Sequence, residues 1–248
     1  MAFAPTGSDL HRTVFVDPGH GGPDPGAIGT RADGTAITEK DATLKVGLAL
    51  SDKLRADGYR VVLSRTADVS VAALSDDQVR QGAITNSAAH LDQLARVACA
   101  NAAHADVLLS IHFDAFDDPS AGGAETFFDD AREFAAANQK LANLLQQSVI
   151  ASFRHAGWDT FDRGIWSDAD TGAPGLTQQG DNYGRLLILG PASPGWLDRP
   201  SAMPGALVEP LFITDPAEGE AMATPDGRAV LASGLEQGLV GFLQSTTG

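Results

Sequence analysis

Four short runs of apolar residues recur along the chain, at 13–16, 60–64, 106–111 and 206–211, each ending in a turn or polar residue. Within each run the apolar positions are consecutive rather than alternating, the pattern of strands buried on both faces of a mostly parallel sheet. Helical patterns lie between them. Residues 40–56 place Leu44, Val46, Leu48, Leu50 and Leu54 largely on one side and stop before Gly58, which suits a left-handed cap. Residues 87–103 and 132–155 read the same way. In the second of these, Leu141, Leu144, Leu145 and Val149 form an i, i+3, i+4, i+8 stripe that closes on Gly157. A final helix is predicted over 228–244. Strand and helix in alternation predict an α/β fold: a single domain with one mostly parallel β-sheet and helices on both faces. No repeat or linker divides it, so residues 1–11 read as an N-terminal tail and 12–245 as the domain. Two stretches look irregular, 67–86 and 158–204. Loops of that length inside a compact domain are usually functional, and the second is the expected substrate-shaping surface, lid or self-blocking segment.

Composition narrows the classes. Of 248 residues 43% are apolar, enough for a real core, and 32 acidic against 17 basic side chains leave a formal charge of −15. With no basic surplus to neutralise phosphates, nucleic acid is excluded as a partner. No apolar run approaches the ~18 residues needed to cross a bilayer, and residues 1–12 lack the charged-then-apolar layout of a secretory signal. The single cysteine, Cys99, excludes an internal disulfide and a multi-cysteine zinc site. In its Ala-rich helical stretch it is expected to be a small buried apolar residue.

Three of the predicted strands end in residues able to do chemistry. Val16-Asp17-Pro18-Gly19-His20-Gly21-Gly22 puts a histidine after the first strand, Ser110-Ile111-His112-Phe113-Asp114 puts another after the third, and Leu207-Val208-Glu209-Pro210 ends the fourth in a carboxylate. Sites in open α/β sheets form at the carboxyl ends of strands, so the three point to one edge. Glu39, in Thr38-Glu39-Lys40-Asp41, opens the helix after the His20 loop. Taken singly, His20 fits a turn, His112 a core histidine, and Glu39 a helix N-terminus that welcomes a negative charge. Glu209 is harder to dismiss, because an ionised carboxylate on a buried strand is costly unless something satisfies it. Two histidines and a carboxylate make a catalytic zinc set, with the remaining carboxylate free as a base. Which glutamate does which stays open on residue type and spacing alone.

The string Phe15-Val16-Asp17-Pro18-Gly19-His20-Gly21-Gly22, then Gly26-Ala27-Ile28-Gly29, Glu39-Lys40-Asp41, Leu63-Ser64-Arg65-Thr66, Ala100-Asn101-Ala102, Ser110-Ile111-His112 and Leu207-Val208-Glu209 resembles the zinc-dependent N-acetylmuramoyl-L-alanine amidases of bacterial cell walls. The resemblance runs from about residue 12 to 243. It implies a twisted mixed sheet flanked by helices and one zinc ion (Zn2+) per chain, bound by His20, Glu39 and His112, with Glu209 as the catalytic carboxylate. It also implies peptidoglycan as substrate, and through that substrate a place in the cell envelope or outside the cell; a monomer is expected, with a regulatory partner left open. Asp114 stands where the family commonly has Asn, and Pro210 and Thr214-Asp215 replace the usual Gly and Ser-Asn, which bears on substrate preference. Two alternatives stand beside this reading: a catalytically silent peptidoglycan-binding module, and a zinc peptidase or amidohydrolase acting on another amide. His11, His90, His104 and His155 are expected to bind no metal, and Asp129, Asp130 and Glu133 to form a solvated acidic helix start.

Overall fold

The computed structural model describes residues 1–31, 33–172 and 177–246. Its strands are β1 (Ala2–Phe3), β2 (Thr13–Pro18), β3 (Ile28–Thr30), β4 (Ala36–Thr38), β5 (Arg60–Leu63), β6 (Val79–Arg80), β7 (Ala83–Ile84), β8 (Val107–Ile111), β9 (Ala124–Phe128), β10 (Asp162–Ser167) and β11 (Gly205–Glu209). Its helices are α1 (Glu39–Ala56), α2 (Asn86–Ala102), α3 (Ala135–His155), α4 (Gln178–Tyr183), α5 (Pro216–Ala223) and α6 (Pro225–Ser245). Seven strands form one sheet in the order β1-β5-β2-β8-β11-β9-β10. The run β5-β2-β8-β11 is parallel, β1 joins it antiparallel, and β9 pairs antiparallel with β11 and parallel with β10. The sheet is therefore mixed and mostly parallel.

Topology decides which helix covers which face. The chain moves from β2 to β5 on one side through α1, then back past β2 to β8 through α2. Both crossovers must be right-handed, so reversing direction puts α1 and α2 on opposite faces and opens a crevice between the carboxyl ends of β2 and β8. The side chains agree. Val14, Val16, Val61, Leu109 and Val208 pack with Leu50 of α1, Leu141 and Leu145 of α3, and Leu239 of α6. Phe15, Leu108 and Leu207 point the other way, onto Val97 and Ala100 of α2 and onto Ile188, Leu189, Leu197 and Met203. Burial on both faces accounts for the consecutive apolar residues of the central strands. Among the described residues no helix is long and apolar enough to cross a membrane.

The four expected strands and four expected helices are present within a few residues of their predicted ends, and Gly157 has φ +82° just past α3. The stretch 158–204 departs from its irregular reading. It contributes β10, the short α4 and a segment whose apolar side chains form much of the second core; residues 173–176 within it lie outside those described. Cys99 corrects another expectation: it is exposed, because Val97 and Ala100 are the positions of α2 that face the sheet. The acidic helix start is corrected too. Asp129 is fully buried, its Oδ1 accepting from Ala131 N and Arg132 N and its Oδ2 from Arg185, which also holds Asp130 and Asp168.

Candidate metal centre

His20 stands two residues past β2, in a loop held by its own carbonyls. Arg96, buried on α2, donates from Nη1 to Asp17 Oδ1 (2.7 Å) and Pro18 O (2.9 Å), from Nη2 to His20 O (2.7 Å), and from Nε to Asp92 Oδ2 (2.9 Å). Arg65, two residues past β5, donates to Pro18 O (3.0 Å) and Gly19 O (2.8 Å) from the other side. Three successive carbonyls thus take guanidinium hydrogen bonds, a stronger restraint than neutral donors provide. The loop needs it, since His20 itself sits at φ +60°, a backbone region that non-glycine residues rarely occupy.

Three side chains converge in the crevice. His20 Nε2 lies 2.9 Å from Glu39 Oε1, His112 Nδ1 lies 3.0 Å from the same oxygen, and the two ring nitrogens are 3.2 Å apart. Glu39, the first residue of α1, is itself fixed by backbone: Ala27 N donates to Oε2 at 2.8 Å and Phe113 N to Oε1 at 3.0 Å. A Cβ at Gly19 would strike the His112 ring, and one at Gly26 would strike Glu39 and His20, so the cradle requires glycine at both places. Burial pushes the Glu39 carboxyl up, but the two imidazoles outweigh it and hold the group below the usual range. Burial pushes His20 down, while Glu39 and Asp24 pull harder and raise it to about 10.

The donor set fits zinc. Two imidazole nitrogens and a carboxylate oxygen all lie within 4.8 Å of one another. A tetrahedral ion bonded at ~2.0–2.1 Å holds its ligand atoms about 3.3 Å apart, close to the spacings seen. Asp24 Oδ2 lies 2.9 Å from His20 Nδ1, where an outer carboxylate would orient the ring were Nε2 to hold a metal.

Glu209 closes β11, next to β8 in the sheet, and His112 N donates to Val208 O. Glu209 and His112 line the same cavity, about 410 Å³ in volume, between α2 and the 183–196 segment. Glu209 Oε2 is buried and has no hydrogen-bond partner among the described residues. Burial, then the charges of Asp114, Glu39 and Glu125, raise this carboxyl well above its ordinary value. Asp114 is pushed up to about 8 by burial and by its hydrogen bond with Glu125, and Glu125 sits opposite Glu209 in the β9–β11 ladder. The Thr214-Asp215 departure serves local structure. Asp215 caps α5 by accepting from Ala217 N and Glu218 N, and Thr214 Oγ1 accepts from Phe116 N.

All four predicted site residues therefore come to one place, while His11, His104 and His155 lie exposed elsewhere. His90 is outside the triad but lines the cavity, its ring 3.7 Å from that of Trp196. Asp24, Arg96 and Glu125 were not anticipated. Asp24 carried a faint signal, a carboxylate four residues after His20. Arg96 had one in its i, i+4 pairing with Asp92 on a helix face that is otherwise apolar.

Residues 14–240 match the family described as N-acetylmuramoyl-L-alanine amidase (Amidase_3). The chain belongs to that family of peptidoglycan amide hydrolases. Among curated proteins it is similar to the germination-specific N-acetylmuramoyl-L-alanine amidase of Bacillus subtilis, with 25% identity over 231 residues, 93% of this chain and 79% of that protein. It is also similar to AmiC of Neisseria meningitidis, at 27% identity over 250 residues, where it spans only 53% of the longer protein. Among solved structures, an N-acetylmuramoyl-L-alanine amidase from Clostridium difficile 630 superposes with TM-score 0.65 at 27% identity, covering 95% of this chain and 98% of that one. The CwlD amidase of Clostridioides difficile, solved in complex with the GerS lipoprotein, shares the fold with TM-score 0.70 at 21% identity, covering 94% and 99%.

Proposed function

We propose that residues 12–245 form a zinc amidase catalytic domain in which His20, Glu39 and His112 hold one zinc ion and Glu209 moves the proton. The bond cut is the amide between the lactyl group of N-acetylmuramic acid and L-alanine. When bound, zinc supplies Lewis acidity, polarising an amide carbonyl and making water acidic enough to ionise near neutral pH. Asp24 fixes the His20 tautomer through Nδ1 and leaves Nε2 for the metal side. Glu209 takes the proton from the water that attacks the lactyl carbonyl. Its Oε2, buried without a hydrogen-bond partner among the described residues, is free to accept that proton and then pass it to the departing alanine nitrogen. The observation that carries this reading is the meeting of His20, Glu39 and His112, from three separate elements, beside a cavity that Glu209 also lines. Substrate chemistry places the enzyme at the cell envelope or outside the cell. A regulatory partner is compatible with the fold, since CwlD is solved with a lipoprotein.

The test is mass spectrometry of digested peptidoglycan together with metal analysis. Intact glycan and stem peptides that begin with a free L-alanine amine are expected, with about one zinc per chain. Shortened stems would identify a peptidase instead, and zinc-loaded protein that releases nothing would identify a binding module. Glu209→Ala should lower turnover by at least about 10³-fold, in the range of lost acid–base catalysis, with zinc content unchanged. His20→Ala and His112→Ala should lose the metal.

A further inference from the structure

The cavity lined by His112 and Glu209 extends along the second face of the sheet, and the proposed reaction uses only these two of its lining residues. Its floor is Leu207 of β11, one wall is His90 and Gln93 of α2, and the other is 183–188 with Trp196. That far wall is built in place. Arg132 donates to Leu189 O, Gly190 O and Ser201 O, Tyr183 Oη donates to Pro191 O (2.8 Å), and Asn101 donates to Pro200 O (3.0 Å). Ile188, Leu189 and Leu197 anchor it in the core. His90 and Trp196, reaching in from opposite walls, stack on each other with ring centroids 3.7 Å apart and planes 38° off parallel, and the pair lines the cavity together with His112 and Glu209.

Charge separates the two arms of the substrate. The stem peptide carries free carboxylates, whereas the amide-linked sugar is uncharged, with hydroxyls at its rim and C–H groups on its faces. The cationic group described in this wall, Arg185, already faces Asp129, Asp130 and Asp168, and Asp181 and Glu209 are also in the lining. A carboxylate would enter an acidic cavity with its cation taken. A pyranose can instead pack its C–H groups on this aromatic pair, with the Gln93 amide available to its polar substituents. Resting on the amidase reading, we infer that this cavity is a saccharide subsite, which takes the muramic acid ring on the acyl side of the scissile bond and uses Trp196 and His90 as its stacking wall.

Two measurements on the zinc-loaded enzyme test this. In the wild type, the Trp196 indole N–H resonance is followed by NMR during titration with N-acetylglucosamine trimer, which has no lactyl group or peptide, and separately with L-Ala-γ-D-Glu. The trimer should shift it saturably and the peptide should not. The reverse pattern, or no shift with either ligand, overturns the subsite. In the second measurement, kcat/KM is compared between N-acetylmuramoyl-L-Ala-D-Glu and its sugarless counterpart, lactoyl-L-Ala-D-Glu. Trp196→Ala should lower the ratio of the two values about tenfold, chiefly through KM for the sugar-bearing substrate, and Trp196→Phe should restore most of it. An unchanged ratio in folded, zinc-bound Trp196→Ala refutes the inference. If that variant does not fold, the wild-type titration decides. Failure of the wild type to cleave either substrate would instead refute the amidase reading.

Discussion

Asp24 touches no substrate in the proposed mechanism, yet it decides how His20 presents itself. Its Oδ2 sits 2.9 Å from Nδ1, and its Oδ1 accepts from Gly26 N at 3.1 Å, which ties the imidazole to the glycine that clears space for Glu39. Asp24→Asn keeps the size and removes the charge. Zinc affinity should fall by about 10–100-fold, the usual cost of losing an outer carboxylate, and competition against a chelator at fixed pH measures it. Affinity equal to wild type would mean that the loop alone orients the ring. Glu209 is legible because an ionised carboxylate on a buried strand is costly, and His20 and His112 because their strand ends and that of Glu209 point to one edge of the sheet. Glu39 was assigned through family likeness, since a helix N-terminus explains a glutamate without a metal. Asp24 was hidden among Pro and Gly residues that read simply as a turn, and Cys99 was misjudged because its Ala-rich surroundings do not reveal which side of the helix faces the sheet.

The link between α2 and β2 is where packing becomes function. Arg96 lies inside a helix that otherwise turns apolar residues to the sheet, and it supplies four hydrogen bonds to Asp92, Asp17 and the backbone that carries His20. Asp17 also accepts from Ser110 of β8 at 2.9 Å, so one buried cluster joins both histidine-bearing strands. Removing one partner of a buried ion pair leaves the others uncompensated, at a cost of about 3–5 kcal/mol. Arg96→Met should lose stability on that order in urea unfolding and also bind zinc more weakly. Arg96→Lys should recover little, since an ammonium cannot reproduce a planar fork that reaches acceptors in several directions. Full recovery by lysine would show that charge alone matters. Central strands and long helices were readable because burial on both faces and a 3.6-residue stripe leave plain patterns. β9 was not, as Glu125 and Thr126 interrupt its apolar run, and α5 is too short to show a period.

Across the molecule, buried carboxyls of two kinds respond to pH in opposite directions. Asp24, Asp17 and Glu39 are held low despite burial, with guanidinium or imidazole partners outweighing it; their contribution is present above the ordinary carboxylate value and is lost only in acid. Asp168 and Glu218 are raised to about 7, in both cases first by burial, then by the charge of Asp129 on Asp168 and of Asp215 on Glu218, even though Arg185 holds the former and two backbone N–H groups the latter. For a raised acid the folded chain binds the proton more tightly than the unfolded one. Its contribution is complete below about 4 and is lost as pH climbs through about 7. The two trends leave a maximum in mildly acidic solution, and a formal charge of −15 adds self-repulsion on the alkaline side. The zinc-loaded protein should therefore melt at a higher temperature near pH 5.5 than near pH 8. Asp168 accounts for part of that fall from just past β10, which it joins to Arg185 and Leu186 N. Asp168→Asn, uncharged at every pH, should flatten the slope between pH 5 and 8, so that its stability relative to wild type is higher at pH 8 than at pH 5. Melting curves across that range check this. A variant slope parallel to wild type would remove Asp168 as a source of the loss and leave Glu218, Asp114, Glu209 and the net charge to explain it.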